Sequence, residues 1–102
     1  MSKAYSRSTP EARKEEILTC AVERAKLVGL NGLRRDDIAT QAGVSQGLVT
    51  RYFNTMNQLR TAVVRYAVHH EILPLVAEAL VAKDPQALKA PQELKDRAFA
   101  SV

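Results

Sequence analysis

The chain has 102 residues, 46% of them hydrophobic, with four Gly, four Pro and a formal net charge of +4. That length describes one domain able to bury about two-thirds of its unfolded surface, and the composition excludes a linker or a low-complexity segment. No apolar run is long enough to span a bilayer, no charged-then-apolar secretory signal opens the chain, and Cys20 has no second cysteine to bond, so a reducing, cytoplasmic setting is expected.

Charge is segregated along the sequence. Residues 1–66 hold eleven Lys or Arg against six Asp or Glu, whereas residues 67–102 hold four against five. A positive field concentrated in the first two-thirds suits attraction to phosphates, although a basic balance alone is common among small proteins.

The periodicity is helical throughout. Residues 1–8 read as an amino-terminal arm carrying Lys3 and Arg7. Thr9 caps a first helix with Pro10 at its first position, where a missing N–H leaves no bond unmade. Ser8 with Glu11 fits a capping box one residue earlier. Ile17, Leu18, Ala21, Val22, Ala25 and Val28 form the apolar stripe, and Gly29 ends the helix. A second helix is expected over Arg35–Ala42, a third over Ser45–Phe53, and a longer fourth from near Thr55 through Leu59, Ala62, Val63 and Tyr66. Pro74 kinks or restarts the chain, and Asp84-Pro85 and Ala90-Pro91 divide the remainder into short helical pieces with a fraying end.

The run IATQAGVSQGLVTRYF, Ile38 to Phe53, carries the most information. Gly43 supplies the permissive backbone that ends a helix, and Ser45 is a strong N-cap for the next. Val44, Val49 and Phe53 fall where they pack inward. Gln46, Gly47, Thr50 and Arg51 lie at i, i+1, i+4 and i+5 and share the opposite face. A short helix with a sealed back and a polar, partly basic front fits a major groove, the arrangement of a helix-turn-helix. An ordinary helical hairpin would share this periodicity.

The wider segment GLNGLRRDDIATQAGVSQGLVTRYFNTMNQLRTAV resembles the DNA-binding domain of the TetR family of bacterial repressors. The residues that carry the resemblance are Gly29, Ile38-Ala39, Ala42-Gly43-Val44-Ser45, Gly47, Tyr52-Phe53 and Leu59, within a match from about Thr9 to Tyr66. It implies an all-α fold, with a three-helix helix-turn-helix domain in residues 1–66, a longer fourth helix and short C-terminal helices. The resemblance also implies a cytoplasmic, nucleoid-associated repressor that binds a palindromic double-stranded DNA operator as a homodimer.

Chemistry assigns roles within the motif. Ser45 and the free N–H groups beside it suit a phosphate; Gln46 and Arg51 suit base edges, Gln toward adenine and Arg toward guanine. Gly47 admits close approach of the backbone to DNA, Leu48 reaches a thymine methyl or the core, and the hydroxyls of Thr50 and Tyr52 suit phosphates. Arg51 also suits a phosphate without base reading. Four positions depart from the family pattern. Thr50 stands where Tyr is usual, Met56 where Lys is usual, and Arg34 and Arg35 where Ser or Thr and an apolar residue are usual. The two arginines read as positive charge moved to the start of the second helix, or as solvated side chains.

Family members usually continue into a larger helical domain that holds an inducer and dimerises. The 36 residues after Tyr66 are too few to wall a pocket and form a dimer interface as well, so no small-molecule inducer is expected. ILPLVAEALVA, Ile72 to Ala82, has a single charge, Glu78, and is apolar nearly all round. It is expected to bury one side on its own domain and another on a second copy, with Ile72, Leu73, Val76 and Leu80 at the dimer interface in a tail spanning residues 67–102. His69 and His70 are adjacent and diverge by about 100° on a helix, so no metal site is expected. Cys20 reads as a packed thiol, and no catalytic constellation or cofactor motif appears in usable spacing. A non-enzymatic regulator is the favoured reading; a protein-interaction subunit pairing with a longer relative through the apolar tail is the alternative.

Overall fold

The computed structural model describes residues 9–101; the arm, and with it the Ser8 alternative for the first cap, lies outside them. All regular structure among the described residues is helical: α1 Pro10–Val28, α2 Arg35–Ala42, α3 Gln46–Tyr52, α4 Met56–His69, α5 Leu73–Val81, α6 Pro85–Leu88 and α7 Gln92–Ala100. Thr9 caps α1, its side-chain oxygen accepting from the Ala12 N–H at 3.1 Å. Thr55 caps α4 in the same way, accepting from Gln58 N–H at 3.0 Å. Each such cap satisfies one of the donors that a helix start leaves unpaired.

One apolar cluster joins the helices, and none of its members is polar. Ile17, Ala21, Val22 and Ala25 of α1 bury as expected, while Leu18 is only half-buried and Val28 turns to solvent at the helix end. Ile38 and Ala39 from α2, Val49 from α3, and Leu59, Val63, Val64 and Ala67 from α4 complete the part beneath the helix-turn-helix. The expected domain boundary after Tyr66 falls inside α4, and the cluster continues across it into α5, α6 and α7.

The tail differs from the sequence expectation in one important respect. Val76 is fully buried and Leu80 is 6% exposed, and Leu75, Ala77 and Ala79 are buried beside them. The second apolar side of α5 is covered by this chain's own α7, which packs against it and buries Leu94 and Ala98, four residues apart on one face. Val76 and Leu80 are therefore core residues in this fold, not an exposed dimer surface. Ile72 and Leu73 remain half-buried. The final helix is docked rather than frayed, and Arg97 adds an ion pair to Glu71 at 2.8 Å.

Three helices end in the same way. After α2, Val44 N–H donates to Ala39 C=O and Gly43 N–H to Thr40 C=O, with Gly43 at φ 73°. After α4, Ile72 N–H reaches Ala67 C=O and Glu71 N–H reaches Val68 C=O, with Glu71 at φ 56°. After α5, Asp84 and Lys83 repeat the pattern onto Ala79 and Leu80, with Lys83 at φ 60°. These are Schellman endings. The first uses glycine, and the other two hold a side chain in the left-handed region. Pro74 then falls in the first turn of α5, where its missing N–H is harmless, so the helix restarts rather than kinks.

Two outcomes follow. Val76→Glu would bury an unpaired carboxylate and is expected to destabilise the fold by about 3–5 kcal/mol; a urea titration showing wild-type stability would instead place Val76 on a surface. Lys83→Gly relieves the left-handed backbone at an exposed position and is expected to stabilise the chain by about 1 kcal/mol, read as a higher urea midpoint at unchanged slope.

Candidate nucleic-acid interface

The interface is built on α3, a seven-residue helix fixed at both ends. Ser45 caps its start, the hydroxyl oxygen accepting from Leu48 N–H at 3.1 Å. The left-handed Gly43 reverses the chain between α2 and α3, and a Cβ there would meet nothing within 4 Å, so its conformation rather than space makes glycine fit. Val49, fully buried, pins the inward face, and Phe53, 4% exposed, pins the exit. Lys14 of α1 lies over the Phe53 ring at 5.3 Å from its centroid.

That anchoring decides what faces outward. Gln46, Gly47 and Arg51 are exposed, together with Ser45. Gly47 has ordinary helical backbone and its nearest neighbour to an added Cβ is Ser45 Oγ at 3.8 Å, so nothing among the described residues requires a glycine there. Glycine in a helix interior costs about 0.5–1 kcal/mol relative to alanine. Its presence on the open face of a short helix fits close approach by an outside partner.

The other expected site residues divide. Leu48 is half-buried and packs against the core. Thr50 is half-buried, and its hydroxyl donates to Gln46 C=O at 3.1 Å, so its proton is committed to its own helix. Tyr52, half-buried, lines a groove with Lys14, Phe53, Asn57, Gln58 and Arg65 at the junction of α1, α3 and α4. Lys14 and Arg65 bring positive charge to this groove. They were missed in the sequence because they sit on helices read as scaffold.

Arg34 and Arg35 stand at the end of α2 away from the turn, about 12 Å along its axis. Arg34 is exposed but engaged: its guanidinium donates to both Asp36 carboxylate oxygens, at 3.2 and 3.3 Å, and approaches Asp37 at 3.9 Å. The hydrogen bond to Arg34 lowers the Asp36 pKa, and the same bond raises that of Arg34. Arg34 is exposed and Asp36 about half so, and water and salt screen the pair. Arg35 is half-buried, its Nε buried without a hydrogen-bond partner. Asp37 pairs with Arg24 of α1 at 3.5 Å. Of the charge gained at the start of α2, that of Arg34 is thus countered by Asp36 and Asp37. Their acidity was plain in the sequence, but their pairing was not. His69 and His70 lie edge to face at 5.0 Å between ring centroids, and His70 stacks on Tyr66 at 4.0 Å. Among the described residues no group of three or more His, Cys, Asp or Glu could hold a metal ion, and no helix is long and apolar enough to cross a membrane.

Comparison with known proteins bears on this geometry. Residues 17–63 match the profile of the bacterial regulatory proteins of the tetR family. The chain is similar to the HTH-type transcriptional regulator BetI of Yersinia pestis (strain Pestoides F), 31% identical over 77 residues that make up 74% of this chain and 39% of that protein. It is similar to BetI of Serratia proteamaculans (strain 568), 31% identical over 75 residues, 72% of this chain and 38% of that one. BetI of Pectobacterium carotovorum subsp. carotovorum (strain PC1) aligns over 58 residues at 31% identity, 57% of this chain and 30% of its own. The chain thus spans about two-fifths of the length of the first of these relatives. No solved structure matches it significantly. The outward α3, the left-handed Gly43 turn and the family match agree: this chain carries the amino-terminal helix-turn-helix domain of the tetR family of bacterial transcriptional regulators.

Proposed function

We propose that the chain is a transcriptional repressor that binds a palindromic operator as a homodimer and blocks transcription by occupying it. The observation that carries this reading is the face of α3: Gln46, Gly47 and Arg51 project from a helix whose back is sealed by Val49, and none of the described residues covers them. Gln46 and Arg51 read base edges; Ser45 and Tyr52 hold phosphates, aided by Lys14 and Arg65 in the adjoining groove. Thr50 contributes only if its hydroxyl leaves Gln46 C=O. Arg34 acts on phosphate by exchanging its partner Asp36 for the DNA backbone, a near-even trade for a solvated guanidinium.

The homodimer rests on selectivity. One seven-residue helix reaches three or four base pairs, whereas a two-fold pair doubles the readout over half-sites about a helical turn or more apart. Ile72 and Leu73 stay as interface residues in this reading, and Val76 and Leu80 do not. The reading needs no small-molecule inducer within residues 9–101. A gel-shift against the DNA upstream of the chain's own gene, with sedimentation of the complex, tests it. A retarded band containing two chains per duplex is expected, and no retardation at micromolar chain would overturn the proposal.

Two substitutions separate reading from positioning. Gln46→Ala or Arg51→Ala is expected to lose about 1–3 kcal/mol on the operator while barely changing binding to random duplex; equal losses on both would make the residue a phosphate contact. Gly47→Ala is expected to stabilise the free chain by up to about 1 kcal/mol and yet weaken operator binding. A variant that is both more stable and equally tight would show that DNA does not approach the helix at this position.

A further inference from the structure

We propose that Glu78, on the tail helix α5, is a positioning residue for the helix-turn-helix: its carboxylate holds the α1–α2 connection and thereby sets where α2 begins. The proposal rests on the DNA-binding reading above and adds a tail residue to what presents the recognition helix.

Leu30 is the first residue beyond Gly29, where α1 ends at φ 82°. Its N–H donates to Glu78 Oε2 at 2.8 Å, a contact spanning 48 positions in the sequence. Its carbonyl accepts from Arg60 Nε of α4 at 3.2 Å. One loop residue is thus gripped on both polar atoms by side chains from two other helices, while its own side chain is 6% exposed in the core. Gly29 completes the seat, because a Cβ there would stand 3.1 Å from Glu78 Oε2.

Two further observations give the grip a purpose. The N-cap of α2, Arg34, makes no side-chain capping bond, so α2 lacks the local device that locates the start of α1, α3 and α4. From Leu33, itself 4% exposed, the chain enters α2 two residues later, so the placement of Leu30–Leu33 passes directly to α2 and through the Gly43 turn to α3. Glu78 is also the one charge in the apolar run from Ile72 to Ala82. A hydrophobic side chain would pack there without desolvating a carboxylate, and the Leu30 N–H is what only an acceptor can satisfy.

The test contrasts reach with charge in the full chain. Glu78→Asp keeps the charge but falls one methylene short of Leu30; Glu78→Gln keeps the reach and an acceptor oxygen without the charge. The readouts are hydrogen exchange at the Leu30 amide and affinity for two duplexes, one selected by the wild-type chain from a random pool and its scrambled counterpart. For Glu78→Asp, loss of the bond is expected to speed Leu30 exchange and weaken the selected duplex by about tenfold each, leaving the scrambled duplex unchanged. For Glu78→Gln, both readouts are expected to stay within about threefold of wild type, because a neutral bond replaces a charged one. The proposal is overturned if Gln loses as much as Asp, if Asp leaves Leu30 exchange unchanged, or if Asp weakens both duplexes equally. A wild-type chain that selects no duplex overturns the DNA reading itself, and Leu30 exchange then still decides whether Glu78 holds the connection.

Discussion

A helix of seven residues does not hold its own shape in water, since isolated helices are marginal below about 12–15 residues. α3 therefore exists because Val49 is buried beneath it, Ser45 caps it and Phe53 closes its exit. Everything functional about the surface is the complement of that burial. Once Val49 is fixed inward, the 3.6-residue period leaves Gln46, Gly47 and Arg51 no direction but outward. The outward set is small, polar and singly basic, which suits contact with base edges better than it suits a strong unspecific grip.

Packing of the tail extends the same logic. α4 carries the core from the helix-turn-helix to α5, and α7 closes over α5, so the apolar run from Ile72 to Ala82 is satisfied within the chain. The tail is consequently part of the domain that presents α3 and not an appendage to it. Its polar link to the helix-turn-helix, Glu78 to Leu30 in the α1–α2 connection, is part-buried beside that core. The Schellman turns at Glu71 and Lys83 let α4, α5 and α6 double back within a few residues, at the cost of two side chains in the left-handed region.

Much of this was legible in the residues. Thr9-Pro10, Gly29, Gly43 and Ser45 are local signals whose physics acts within four residues, and the helix ends fall where they place them. Spacing likewise put Val49 and Phe53 inside and Gln46 and Arg51 outside. The sequence was misleading where the deciding partner lies far along the chain. A run apolar nearly all round states that two sides will be buried, but not whether the second cover is another copy or α7; Leu94 and Ala98 were the available hint. The endings at Glu71 and Lys83 carry no glycine to announce them. Arg34 reads in the sequence as a phosphate hook or as a solvated side chain, and its pairing with Asp36 emerges only in the fold.

The central claim is that the face of α3 opposite Val49 meets DNA while the tail remains core. Backbone amide NMR of the labelled chain, titrated with a duplex it retards, tests this most directly. The account predicts the largest shifts from Ser45 to Tyr52, with Leu75 to Ala79 nearly still. Shifts concentrated on α5 and α7, with α3 unmoved, would contradict it.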